Sequence, residues 1–218
     1  MKKFGLKSSK HFITPMSITT KLSKDVSGKD IEQKLYRSMI RSLLLLIASH
    51  PDISFSVGAC ARYQVNPKES HLMYIERIIH NLNETLNYDL WYPYDSSFVI
   101  TGYSDVDWAK NNEDKKFTSG ACYFIGDCLV AWFSKKQNSI SLSTTEAKDI
   151  VVGSRCTQLL WTKQMLKDYG TKQRSICIHY DNPSGTTILK NHVLHSHTKH
   201  TEIHHHVIRD LIEKRLFL

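Results

Sequence analysis

No long apolar run occurs in this 218-residue sequence. The longest, Leu43 to Ala48, is far short of the roughly 20 residues a membrane span needs. Behind the lysines of Met1-Lys2-Lys3-Phe4-Gly5 there is no apolar stretch either. No secretory signal, no membrane partner and an intracellular place of action are therefore expected. Cysteine is sparse: Cys60, Cys122, Cys128, Cys156 and Cys177 are odd in number and contain no C-x-x-C pair. That argues against a disulfide scaffold and a cysteine zinc site, and for core thiols in a reducing compartment. Acidic residues are also short, 21 Asp and Glu against 29 Lys and Arg, a net charge of +8. Such an excess suits a polyanionic partner, and it equally suits a merely solvated basic surface. Internal repeats and low-complexity segments are missing. What is there, 41% apolar and 23% charged residues, is the composition of a globular chain able to build a core without staples.

The chain reads as two halves, 1–92 and 97–218. Residues 21–34 are polar, contain Gly28 and read as a loop. Leu35, Met39, Ile40, Leu43, Leu44 and Ile47 then recur at helical spacing, and His50-Pro51-Asp52 stops that helix. Ile53 to Tyr63 is a second helical stretch. After a turn at Asn66-Pro67, Ser70 can cap a third helix carrying Leu72, Ile75, Ile78, Ile79 and Leu82. No catalytic pattern appears in this half, which reads as a packing module. Past a turn at Tyr92-Pro93-Tyr94-Asp95 the pattern changes. Phe98 to Tyr103 is rich in strand formers. Ala121–Ile125 and Leu129–Phe133, separated by Gly126-Asp127-Cys128, form a hairpin signal. A long helix is expected from about Thr144 to Tyr169, with Gly170 at its C′ position. Ile176 to Tyr180 is a fourth strand, expected to run parallel to the first. The expected class is α/β, a mixed sheet with flanking helices, preceded by a mostly helical segment.

Three carboxylates occupy telling positions. Asp105 follows the first strand, Glu146 lies in the first turn of the long helix, and Asp181 follows the fourth strand. Ligands of open α/β sheets collect beyond the carboxyl ends of parallel strands. Carboxylates gathered there repel one another unless cations neutralise them, and oxygen ligands without sulfur suit Mg²⁺ or Mn²⁺. Each residue has a structural alternative. Ser143-Thr144-Thr145-Glu146 fits a capping box, Asp181 before Asn182-Pro183 fits a helix cap, and Asp105 with Asp107 fits a turn.

Taken together, the motifs resemble a known family. Thr101-Gly102-Tyr103-Ser104-Asp105-Val106-Asp107-Trp108-Ala109 is similar to the motif opening the ribonuclease H domain of copia-type retrotransposon Pol polyproteins. Thr118-Ser119-Gly120, Ser134-Lys135-Lys136-Gln137, Ser143-Thr144-Thr145-Glu146-Ala147, Tyr180-Asp181-Asn182 and His195-Ser196-His197-Thr198-Lys199-His200 follow in the family's order. In the first half, Tyr36-Arg37-Ser38-Met39-Ile40, Ser49-His50-Pro51-Asp52-Ile53, Ala61-Arg62-Tyr63-Gln64 and Asn66-Pro67-Lys68-Glu69-Ser70-His71 resemble the segment between polymerase palm and ribonuclease H. The resemblance implies 1–92 as the end of a reverse transcriptase and 97–218 as a ribonuclease H-like domain. It further implies cleavage of the RNA strand of an RNA–DNA hybrid with two Mg²⁺ or Mn²⁺ ions. Asp105 would bridge both ions, Glu146 would hold one and Asp181 the other. Lys135, Lys136 and Gln137 would contact nucleic acid, with the rest of the polyprotein as a further partner. The place of action would be the cytoplasmic virus-like particle of an active element.

The chain also departs from the family. Its polymerase motif of a tyrosine and paired aspartates is absent, so no polymerase activity is expected. Glu146-Ala147-Lys148-Asp149 stands where E-A-E-Y is usual, and Asp181-Asn182-Pro183-Ser184-Gly185 replaces D-N-Q-S-A. The family's last catalytic aspartate lies in a later segment, beyond Leu218. A decayed fragment that binds nucleic acid without cutting it is the alternative expectation. Seven of the 12 histidines lie between His192 and His206. His200 and His204 have a zinc-compatible spacing, but no further ligand is singled out, and a solvated surface is the expectation. By the resemblance, His197 and His200 would flank the nucleic-acid site as accessory residues.

Overall fold

A computed structural model describes residues 12–17, 22–107, 118–137, 157–171 and 176–180. They fall into two compact units that divide between Leu90 and Trp91. Among the described residues no helix is long and apolar enough to cross a membrane.

The first unit is helical. Helix α1 spans Gln33–Leu46 and α2 spans Ser54–Ala61, entered through a 3-10 turn at Pro51–Ile53; α3 spans Glu69–Glu84. Their core is Tyr36, Met39, Ile40, Leu43, Ile53, Val57, Cys60, Ile75, Ile78 and Leu82. The apolar stripe expected on α1 is therefore rotated. Tyr36 is fully buried, its hydroxyl donating to the Cys60 carbonyl at 2.9 Å, while Leu35 and Leu44 face outward. The start of α3 also differs from expectation. Lys68, not Ser70, is the cap residue, and its backbone N–H donates to His71 Nδ1 at 3.0 Å. The imidazole thus satisfies an amide that the helix leaves unpaired, and the Ser70 hydroxyl turns to Asp25 at 2.6 Å instead.

The second unit is built on a four-stranded sheet: β1 (Ile100–Asp107), β2 (Thr118–Ile125), β3 (Cys128–Lys136) and β4 (Ile176–Tyr180), in the order β3-β2-β1-β4. β1 is antiparallel to β2 and parallel to β4, as expected for a strand returning after a helix. β2 and β3 form a hairpin whose two-residue turn is Gly126-Asp127. Gly126 has φ +59°, and a Cβ there would stand 2.3 Å from the Ser97 carbonyl oxygen, so only glycine fits. Residues 157–168 form helix α4. It packs Leu159 and Leu166 on Ile100, Tyr123 and Ile176. Gly102 makes room for this contact, since a Cβ there would meet Leu159 at 3.0 Å. The helix ends as expected at Gly170, φ +83°. The Gly170 N–H bonds to the Lys167 carbonyl and the Thr171 N–H to the Leu166 carbonyl, both at 2.9 Å, a Schellman motif. The expected earlier part of this helix, from Thr144, lies outside the described residues.

Candidate functional site

Asp105 does not follow the first strand but lies inside it. Pairing with β2 continues to Asp107↔Thr118, so extended backbone carries past the aspartate. Side chains alternate across a strand. Ile100 and Gly102 face α4, which places Tyr103 and Asp105 on the opposite side of the sheet, where Asp105 is exposed. Directly across from Asp105 is Gly120, and across from Gly120 is Ser134 on β3. β2 pairs alongside Asp105, while the described pairing of β1 with β4 stops one residue earlier, at Ser104.

The parallel pairing of β1 with β4 runs from Ile100↔Ile176 to Ser104↔Tyr180. The next residues in the sequence are Asp105 and Asp181. Asp181 lies outside the described residues, and so do Glu146, His197 and His200. Among the described residues no group of three His, Cys, Asp or Glu side chains could hold a metal ion. The structure thus describes one of the three expected ligands.

Lys135 and Lys136 were expected beyond the third strand; both belong to β3, which runs on to Lys136. Lys135 is exposed, opposite Ser119, and Lys136 is half-buried, opposite Thr118. Gln137 is buried, and its Nε2 donates to Ser119 Oγ at 2.9 Å. Its amide joins the ends of β2 and β3.

An aromatic cluster lies near Asp105. Tyr103 stacks on His179 with ring centroids 4.6 Å apart and planes 11° from parallel, and Phe124 meets the Tyr103 ring edge-on at 5.6 Å. Cys177 Sγ is 3.5 Å from His179 Nε2. A signal was present: Tyr103-Ser104-Asp105 and His179-Tyr180-Asp181 share one spacing on strands expected to be parallel neighbours. In the helical unit a cavity of about 450 Å³ is lined by Phe12, Leu22, Met73 and Tyr74. Several of its polar groups are hydrogen-bonded: His71 Nε2 with the Ser23 carbonyl at 2.7 Å, Ser70 with Asp25, and Arg77 with Thr14.

An antiparallel hairpin, a central strand parallel to the fourth, and a helix on one face define an α/β unit of the ribonuclease H-like class. The chain is 31% identical over 94% of its length to the retrovirus-related Pol polyprotein from transposon RE1 of Arabidopsis thaliana. It is 29% identical over 98% of its length to that from transposon TNT 1-94 of Nicotiana tabacum. Against the polyprotein of transposon RE2 of Arabidopsis thaliana the identity is 28% over 94%. Along almost its whole length the chain is thus homologous to one segment of copia-type retrotransposon Pol polyproteins. It spans 14 to 16% of the length of these curated relatives. No protein-family model matches it.

Proposed function

We propose that the second unit is a ribonuclease H domain that hydrolyses the RNA strand of an RNA–DNA hybrid. The observation that carries this reading is the position of Asp105, exposed on a central strand whose parallel pairing with β4 ends one residue short of Asp181. Continued by one residue, that register would set two carboxylates side by side, and Glu146 would complete the set from the helix. Such a set suits hard divalent cations, Mg²⁺ or Mn²⁺, because its donors are all oxygen. When bound, two such ions activate a water and stabilise the leaving 3′ oxygen. The chain's own residues do the rest. Asp105, Glu146 and Asp181 would hold the ions, and their negative charge would keep both cations at the site. Lys136, which shares the sheet face of Asp105, offers positive charge to a backbone phosphate, while Lys135 stands on the opposite face of the same strand and adds only to the wider positive field. The rest of a Pol polyprotein is the natural partner, inside the particle of an active element.

The test is cleavage of a hybrid labelled on its RNA strand, in Mg²⁺ and in Mn²⁺, with the same RNA single-stranded as control. Divalent-dependent cutting confined to the hybrid is expected, stronger in Mn²⁺, which binds such sites more tightly. Asp105→Asn keeps the shape and removes the bridging charge, so it should lower the rate by about a hundredfold or more. Equal rates in the parent and Asp105→Asn, or no cutting in either metal, would refute the assignment.

A further inference from the structure

Among the described residues nothing in the backbone or the packing requires glycine at position 120. Its backbone is ordinary strand, outside the left-handed region that Gly126 and Gly170 occupy. Among the described residues a Cβ built on it meets nothing within 4 Å, whereas at Gly102 the same atom would press on Leu159. Neither conformation nor packing demands a bare position, and glycine weakens a strand interior, having no side chain to pack. A side chain there would also be welcome on propensity grounds, since β2 lies between two paired neighbours.

What Gly120 changes is the relief of the sheet beside Asp105. It is the direct cross-strand partner of Asp105 and of Ser134, and such partners carry Cβ atoms about 5 Å apart on one face. A side chain at 120 would stand level with the Asp105 carboxylate and on its β2 flank. Without one, the row Asp105, Gly120, Ser134 is a notch with a carboxylate on one wall, a hydroxyl on the other and backbone as its floor. A nucleic-acid backbone is the ligand that needs such access. Its phosphate must approach within a cation's reach of the carboxylate, about 2 Å on either side of the ion, and the sugar behind it is bulky. Glycine is the residue that lets a backbone come close.

We propose that Gly120 is a clearance residue: it lets the RNA strand's backbone settle onto Asp105, with the Ser134 hydroxyl as a donor to that backbone from the far wall. This rests on the hybrid-nuclease reading and deepens it by naming what admits the substrate. Gly120 is a positioning residue and takes no part in bond making.

The experiment uses the full chain with Gly120→Ala, Gly120→Val and Gly120→Leu. Thermal melting is measured alongside the dissociation constant for a fluorescently labelled RNA–DNA hybrid. The melting temperature should hold or rise in all three. The dissociation constant should climb with side-chain size, reaching about tenfold or more for leucine. Unchanged affinity in a Gly120→Leu chain that melts like the parent overturns the clearance role. A Gly120→Ala chain that melts well below the parent also overturns it, because the glycine is then structural. A parent chain with no affinity for hybrid overturns the nuclease reading itself, a result distinct from either.

Discussion

Cys60 shows how far burial governs a single group. With no solvent exposure in the helical core, its thiol is pushed from the ordinary 9.0 up to about 12 by desolvation. Tyr36 above it is raised for the same reason, with Cys60 and Tyr63 adding to the effect. Below pH 9 the thiol is protonated in both folded and unfolded chains and the full stability is present. Between 9 and about 12 the unfolded thiol sheds its proton while the folded one keeps it, so stability falls as pH rises. Helical content followed by denaturant titration at about pH 8 and about pH 11 should show that loss. Cys60→Ala should remove part of it, Tyr36 supplying the remainder. If the Cys60→Ala chain lost as much stability on alkalinisation as the parent, the thiol would be exonerated. Residues of this kind are hard to read in a sequence. That Cys60 is a core thiol was expected from cysteine usage. That Gln137 would turn into the sheet and hold Ser119, instead of facing solvent beside two lysines, depended on how far β3 ran.

At the scale of elements, the turns were more legible than the faces. Gly170 was expected at a helix C′ position and sits there with both Schellman hydrogen bonds. Gly126 opens the hairpin turn with the positive φ that such turns require. Local backbone chemistry decides these positions, and it is written in the residue type. The buried face of α1 is another matter. Leu43 to Leu46 put leucine on every side of one turn, so periodicity could not say which would face in. Packing against α2 and α3 decides it, burying Leu43 and leaving Leu45 76% exposed. Leu43→Ala should therefore cost about 2–5 kcal/mol of stability, and Leu45→Ala within about 0.5 kcal/mol of nothing. Urea denaturation of the two variants checks this, and equal losses would mean the helix is rotated from the described face. The β1 boundary was misread for a related reason. Asp105 and Asp107 are poor strand formers, but pairing with β2 carries the strand through them.

Across the whole molecule, an α/β class, a parallel first and fourth strand, and a helical segment ahead of them are legible in the sequence, and all three are present. Each rests on long-range patterning that survives local errors of boundary. The bare notch at Gly120 is not legible because ten residues, 108–117, separate β1 from β2 and leave their register open, and the stack of Tyr103 on His179 depends on the register of β1 with β4, a strand far along the sequence. The central claim concerns three carboxylates 41 and 35 positions apart in sequence acting as one cation site. Its most direct test is Mn²⁺ affinity, followed by the paramagnetic signal of free Mn²⁺, in the parent chain and in Asp105→Asn, Glu146→Gln and Asp181→Asn. If the three share the site, every one of these substitutions weakens Mn²⁺ binding by about tenfold or more, about 1.4 kcal/mol each, with Asp105→Asn the most damaging. Parent-like Mn²⁺ affinity in Glu146→Gln or Asp181→Asn would contradict a shared site.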